Sequence, residues 1–216
     1  MVQIDIFSDT ICPWCLIGKR RLEAALAMRP DLEVQIRWRT FQLNPNMPAE
    51  GMERSAYLNL KFGGAENAKM IYDRIRGAGA EDGIDFAFEA IGRTPNTLKS
   101  HRLIRWAADK EAQTELVEAL FQAYFFRGED IGDDSVLLAA AKTAGLNEAE
   151  AEAFLKSDAL LAEASEEDRQ ARALGIDGVP CFIFNGRHAV AGAQPPKALA
   201  EMLDIAKQEM EAPAEA

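Results

Sequence analysis

Four residues, Cys12-Pro13-Trp14-Cys15, stand where an apolar alternating run meets a long amphipathic one, and that junction restricts the fold more than any other feature of the chain. In Val2-Gln3-Ile4-Asp5-Ile6-Phe7, the residues Val2, Ile4 and Ile6 share one face, which reads as a strand. From Pro13 to Met28, the apolar residues Ile17, Leu22, Ala25 and Leu26 recur at helical spacing. The two cysteines therefore open a helix directly after a strand. Cys12 takes the N-cap, and Pro13 the first helical position, where its fixed φ suits the helix and no N–H is missed. Cys15 falls three residues on and on the same face, within reach of a disulfide across the first turn. The unpaired N–H groups and the positive end of the helix dipole favour a thiolate on Cys12.

Composition narrows the chemistry. Three cysteines in 216 residues leave one unpaired and do not make a disulfide scaffold. A net charge of −11 argues against nucleic acid, which needs clustered Lys and Arg, and against an anionic membrane. No signal peptide or membrane-spanning run is visible, so the expected location is the cytoplasm. In that compartment a lone C-x-x-C points to redox or metal chemistry.

After the first helix, Val34, Ile36 and Trp38 alternate with charges in 33–39, a half-buried strand that completes a βαβ unit with parallel strands. Phe41-Gln42-Leu43-Asn44-Pro45-Asn46-Met47-Pro48 leaves the sheet as a connector. From about Gly51 to Ser157 no strand is expected; the patterns predict helices near 54–62, 66–77, 96–109, 111–127, 133–144 and 147–157. Caps are supplied by Asn96 or Thr97, by Asp133 or Asp134, and by Asn147. Leu120, Phe121, Tyr124 and Phe125 have two readings, core of a helical block or lining of a substrate groove. A further helix near 158–173 leads to Gly178-Val179-Pro180, and Asn185-Gly186 between two apolar runs signals a hairpin. Pro195-Pro196 opens a last helix, and the tail from Glu211 is expected to fray.

Two strands cannot form a stable sheet alone, so the two ends of the chain combine. The reading is an α/β chain with a thioredoxin fold. Residues 1–50 and 158–216 form the thioredoxin-like domain, and 51–157 form a large all-helical insertion.

With strand, Cys12-Pro13-Trp14-Cys15, helical insertion and Gly178-Val179-Pro180 in place, the chain resembles the DsbA-like thioredoxin superfamily. The stretches Ser8–Cys15, Phe41–Pro45, Pro95–Arg102 and Ala123–Phe126 are similar to its cytoplasmic FrnE-type branch of dithiol-disulfide oxidoreductases and isomerases. The resemblance spans almost the whole chain. It implies a cis bond at Val179-Pro180 beside the active-site sulfurs, which the sequence does not itself reveal. Related 2-hydroxychromene-2-carboxylate isomerases and kappa-class glutathione transferases usually carry serine where Cys12 stands; here two cysteines favour dithiol chemistry, with glutathione open as a co-substrate.

The expected reaction is thiol–disulfide exchange with protein or small-molecule substrates, catalysed by Cys12 and Cys15 with no cofactor beyond their redox-active disulfide. Substrate contacts are expected from Pro13, Trp14, Val179, Pro180 and His101, the backbone of Val179 pairing with an extended substrate. A glutathione-dependent isomerase or transferase is one alternative. The other is a non-catalytic zinc-stabilised module, which needs two further ligands from Cys181, His101, His188 or carboxylates. Cys181 departs from the family pattern and is either a small buried hydrophobe or a third thiol near the pair. His188 reads as an edge or surface residue. Asp5 and Asp9 are candidates for a carboxylate that takes the Cys15 proton.

Overall fold

The computed structural model describes residues 1–211. The part of the expected tail beyond Glu211 lies outside the described residues. Chain order begins with β1 (Val2–Ser8), α1 (Pro13–Ala27) and β2 (Val34–Thr40). It ends with α8 (Leu161–Ala173), β5 (Cys181–Phe184), β6 (His188–Ala191) and α9 (Pro196–Glu211). The four strands form one sheet in the order β2-β1-β5-β6. β1 runs parallel to β2 with Ile4 beside Ile36, and antiparallel to β5 with Phe7 beside Cys181.

Alternation divides the sheet. Val2, Ile4, Ile6, Phe182 and Phe184 are at most 1% exposed and pack into one continuous core with Leu16, Ile17 and Leu22 of α1 and Leu199 and Leu203 of α9. Phe7 and Cys181 point to the opposite face, where they meet Phe41 and Ala171 of α8. Asn185 and Gly186 both take positive φ, 49° and 68°, the backbone that a tight hairpin between right-twisted strands requires.

Between β2 and α8 lie α2 (Arg54–Phe62), α3 (Ala65–Glu81), α4 (Leu98–Trp106), α5 (Gln113–Phe121), α6 (Asp134–Thr143) and α7 (Glu148–Leu155). One expectation fails here. Met52–Glu53 (β3) and Arg93–Thr94 (β4) pair as an antiparallel ribbon, too short for any alternation to show in the sequence. A second correction concerns 111–127, which is not one α-helix: after α5 the backbone widens into a π-turn at Gln122–Phe126. At the end of that turn the Phe125 carbonyl, with no further helical turn to serve, accepts from Ala87 N–H at 2.9 Å. Leu120, Phe121, Tyr124 and Phe125 are at most 1% exposed, so they are core.

The caps follow the expected chemistry. Asp133 and Asn147 accept from Ser135 N–H and Glu150 N–H. Thr97 occupies the N-cap of α4, but it is the Asn96 side chain that accepts from Leu98 N–H, at 2.9 Å. Side chains of α5 and α8 seal the open edge of β2: Gln113 accepts from Trp38 N–H at 3.1 Å and Glu167 from Thr40 N–H at 2.9 Å.

Candidate active site

β1 ends at Ser8, and the chain turns through Asp9-Thr10-Ile11 into α1. Asp9 carbonyl accepts from Cys12 N–H at 3.0 Å, which closes the turn. Cys12 is the N-cap residue, with φ −91° and ψ 111°, and Pro13 begins the helix as the sequence predicts. No side chain caps this end. With no acidic residue in the first turn, the positive end of the helix dipole lies beside Cys12 without a competing carboxylate on the helix.

Both cysteines are free thiols, 3% and 1% exposed for Cys12 and Cys15. Burial first, and then the neighbouring Cys12, push the Cys15 thiol well above its usual range. The Ser8 hydroxyl and the Asp9 backbone work against that rise without cancelling it. Cys15 therefore keeps its proton at neutral pH.

The second half of the fold arrives through Val179-Pro180, a cis peptide. Cys12 Sγ–H donates to the Val179 carbonyl oxygen at 3.6 Å. Helix and loop approach closely because Gly18 has no side chain: a Cβ there would stand 2.8 Å from Pro180 Cγ and 3.2 Å from Phe182 Cζ. Pro13 is buried, and Trp14 and Val179 are half-buried against the core. The fold thus gathers Cys12, Cys15, Pro13, Trp14, Val179 and Pro180 at one end of the sheet.

His101 lies one layer behind. It is 3% exposed, with Nε2 at 3.3 Å from Asp9 Oδ1, and Asp9 itself is fully buried. Asp9 Oδ2 accepts from Leu43 N–H at 2.7 Å, and Thr10 and Ser100 hydroxyls meet at 2.8 Å. These bonds tie the turn before Cys12 to α4 and to the connector after β2. Asp5 is held elsewhere, paired with Arg39 at 2.6 Å on the α8 face.

Cys181 does not join the pair. Strand alternation puts it on the opposite face of the sheet, in the cluster of Phe7, Phe41 and Ala171, and burial raises its thiol. Of the two readings of Cys181, its burial among these residues supports the small buried hydrophobe over a third thiol near the pair. His188 sits on the edge strand β6, with Nε2 at 2.8 Å from Glu209. Among the described residues no group of three or more His, Cys, Asp and Glu is placed to hold a metal ion. Among them, too, no helix is long and apolar enough to cross a membrane.

Residues that pattern reading missed include Gly18, whose role depends on a loop far along the chain, and Arg54. The latter is 8% exposed and reaches Tyr72 Oη at 2.6 Å. The phenols of Tyr57 and Tyr72 are raised by burial and lowered by Arg54, and charge on Cys12 raises them further.

Comparison with known proteins bears on the fold and the family. The chain is 25% identical over 199 residues to the uncharacterized protein YwbO of Bacillus subtilis (strain 168), covering 89% of this chain and 90% of that one. A crystal structure of a probable DsbA oxidoreductase from Streptomyces coelicolor superposes with a TM-score of 0.88 at 30% identity, covering 100% of this chain and 94% of that one. The cytosolic disulfide reductase DsbM from Pseudomonas aeruginosa, solved with glutathione, shares the fold at a TM-score of 0.65 and 19% identity, covering 95% of this chain and 99% of that one. The family model described as a DSBA-like thioredoxin domain matches residues 3–204, and the chain belongs to that family.

Proposed function

We propose that the chain is a cytoplasmic dithiol–disulfide oxidoreductase in which Cys12 attacks and Cys15 resolves. The observation that carries the reading is the asymmetry of the two thiols. Cys12 stands at an uncapped helix N-terminus, and Cys15, in the first turn of the helix, has its proton held by burial and by the neighbouring Cys12. Cys12 thiolate attacks a substrate disulfide, forms a mixed disulfide and expels one substrate thiolate. Cys15, once deprotonated, attacks Cys12 Sγ, releases the second substrate thiolate and leaves a Cys12–Cys15 disulfide. Two electrons pass from the protein dithiol to the substrate, and an external thiol returns them. Run backwards, the same steps oxidise a substrate dithiol.

Pro13 and Trp14 shape the approach to Cys12, and Val179 offers its backbone to an extended substrate. His101 acts on the turn through Asp9 rather than by touching substrate. Glutathione is the small thiol we favour as reductant, on the strength of the similar fold of the glutathione-bound disulfide reductase described above.

The test is reduction of a small aromatic disulfide with glutathione present. Cys12→Ser is expected to fall to the uncatalysed rate. Cys15→Ser is expected to accumulate a mixed disulfide on Cys12, visible by mass spectrometry. Full turnover by Cys12→Ser would overturn the proposal.

A further inference from the structure

Arg54 opens α2 and is 8% exposed, a position where a guanidinium ordinarily has a carboxylate partner. Its partners are all neutral. Nη1 donates to Thr94 Oγ1 at 3.0 Å and Tyr124 Oη at 3.3 Å, and Nη2 to Tyr72 Oη at 2.6 Å. The rings of Tyr57 and Tyr72 lie 5.6 and 5.2 Å from its Cζ. Burial keeps these phenols protonated, so no phenolate neutralises the cation. Among the described residues no carboxylate pairs with Arg54.

A guanidinium has five N–H donors, and three are used, which leaves two, Nε–H among them, without a protein acceptor. That open edge is not sealed. Among the described residues the fully buried side-chain polar atom lacking a partner is Glu209 Oε2, at the far end of the molecule's sheet beside His188.

Arg54 lines a cleft of about 440 Å³ between α2, α3 and residues 88–91, within the ~300–1,000 Å³ range of small-molecule sites. Leu58, Ala68, Phe88 and Ile91 give it apolar walls. Its three acidic residues are already occupied: Glu53 caps α2, Asp73 pairs with Lys69 at 2.8 Å, and Glu89 pairs with Arg76 at 2.5 Å. Of the three cations that line the cleft, Lys69 and Arg76 have carboxylate partners and Arg54 has none among the described residues. A planar guanidinium edge beside an apolar wall matches a carboxylate joined to a hydrocarbon body.

We propose that this cleft binds a small carboxylic acid with an apolar tail, its carboxylate on Arg54 and its tail against Leu58, Phe88 and Ile91. The proposal does not rest on the thiol chemistry, and the two readings stand or fall independently.

Calorimetric titration of the full chain with octanoate tests the proposal, with octan-1-ol and inorganic phosphate as comparison probes. Saturable octanoate binding is expected, with octanol and phosphate each weaker by at least about tenfold, because a charge-assisted bond to buried Arg54 is lost or the tail contact is absent. Arg54→Gln is expected to weaken octanoate by at least about tenfold. Should that variant fail to fold, Leu58→Glu decides: it keeps Arg54 and sets a like charge beside the ligand, and the same loss is expected. Cys12→Ser is expected to bind octanoate as the parent does, whatever its redox activity. Absence of octanoate binding overturns the proposal, as does unchanged affinity in Leu58→Glu or in a folded Arg54→Gln. Octanol or phosphate binding as tightly as octanoate overturns it as well.

Discussion

Cys12 Sγ lies 3.6 Å from the carbonyl oxygen of Val179, a residue 167 positions away in the chain. The contact joins the first helix of the fold to the loop that begins its last hairpin. In the proposed mechanism it sets the attacking sulfur beside backbone that an extended substrate can pair with. Everything proposed for the site depends on that approach.

Gly18 permits it. A methyl group at this position would meet Pro180 Cγ at 2.8 Å, closer than carbon atoms tolerate, and both partners belong to packed elements. Gly18→Ala is expected to cost about 1–3 kcal/mol of stability by overpacking. It should also slow disulfide exchange, because α1 and the Val179 loop must separate. Urea unfolding and turnover measured on one preparation check this; a variant as stable and as fast as the parent would show the contact to be dispensable.

In the proposed reaction Cys15 sets the pH dependence. Burial is the largest cause of its raised thiol, and the Cys12 contributions come second. In the mixed disulfide Cys12 carries no charge, so its contribution falls away while burial stays. Resolution by Cys15 thiolate should accelerate about tenfold per pH unit below the Cys15 pKa and keep rising past neutrality. Stopped-flow release of substrate from a preformed mixed disulfide measures it. A rate flat with pH from 6 to 9 would contradict the assignment of Cys15 as the resolving thiol.

Asp9 fixes the turn before Cys12. Its two oxygens serve Leu43 N–H and His101 Nε2, both inside the protein. Asp9→Leu leaves both groups without partners, at about 1–3 kcal/mol each, so a total loss of roughly 2–6 kcal/mol is expected. Asp9→Asn can still accept from Leu43 with its oxygen and donate to the ring with its amide, and is expected to recover most of that loss. Equal destabilisation by the two variants would mean that shape rather than hydrogen bonding decides.

How much of this was legible in the sequence follows from the range of each interaction. Strand β1, helix α1, strand β2 and the Asn185-Gly186 hairpin are local patterns of alternation, spacing and turn chemistry, and they read directly. The Cys12–Pro13 helix start is local too. The β3–β4 ribbon has two residues a side, so no periodicity exists to be seen. The π-turn at Gln122–Phe126 keeps an apolar pattern that an α-helix would share. The Asp9–His101 pair joins residues 92 apart, and nothing in either neighbourhood announces the other. Cys181 required strand phase: one residue's shift turns it from the redox pair to the opposite face. Arg54 escaped for a different reason. Arginine is ordinarily a surface residue, and only packing reveals one buried among tyrosines.

The most direct test of the account is redox equilibration of the full chain in glutathione buffers, with thiols alkylated and mapped by mass spectrometry. The account predicts a Cys12–Cys15 disulfide that appears in a single two-electron transition, tenfold in equilibrium constant for about 30 mV, with Cys181 reduced throughout. Failure of Cys12 and Cys15 to pair at any potential, or a disulfide that takes in Cys181, would contradict it.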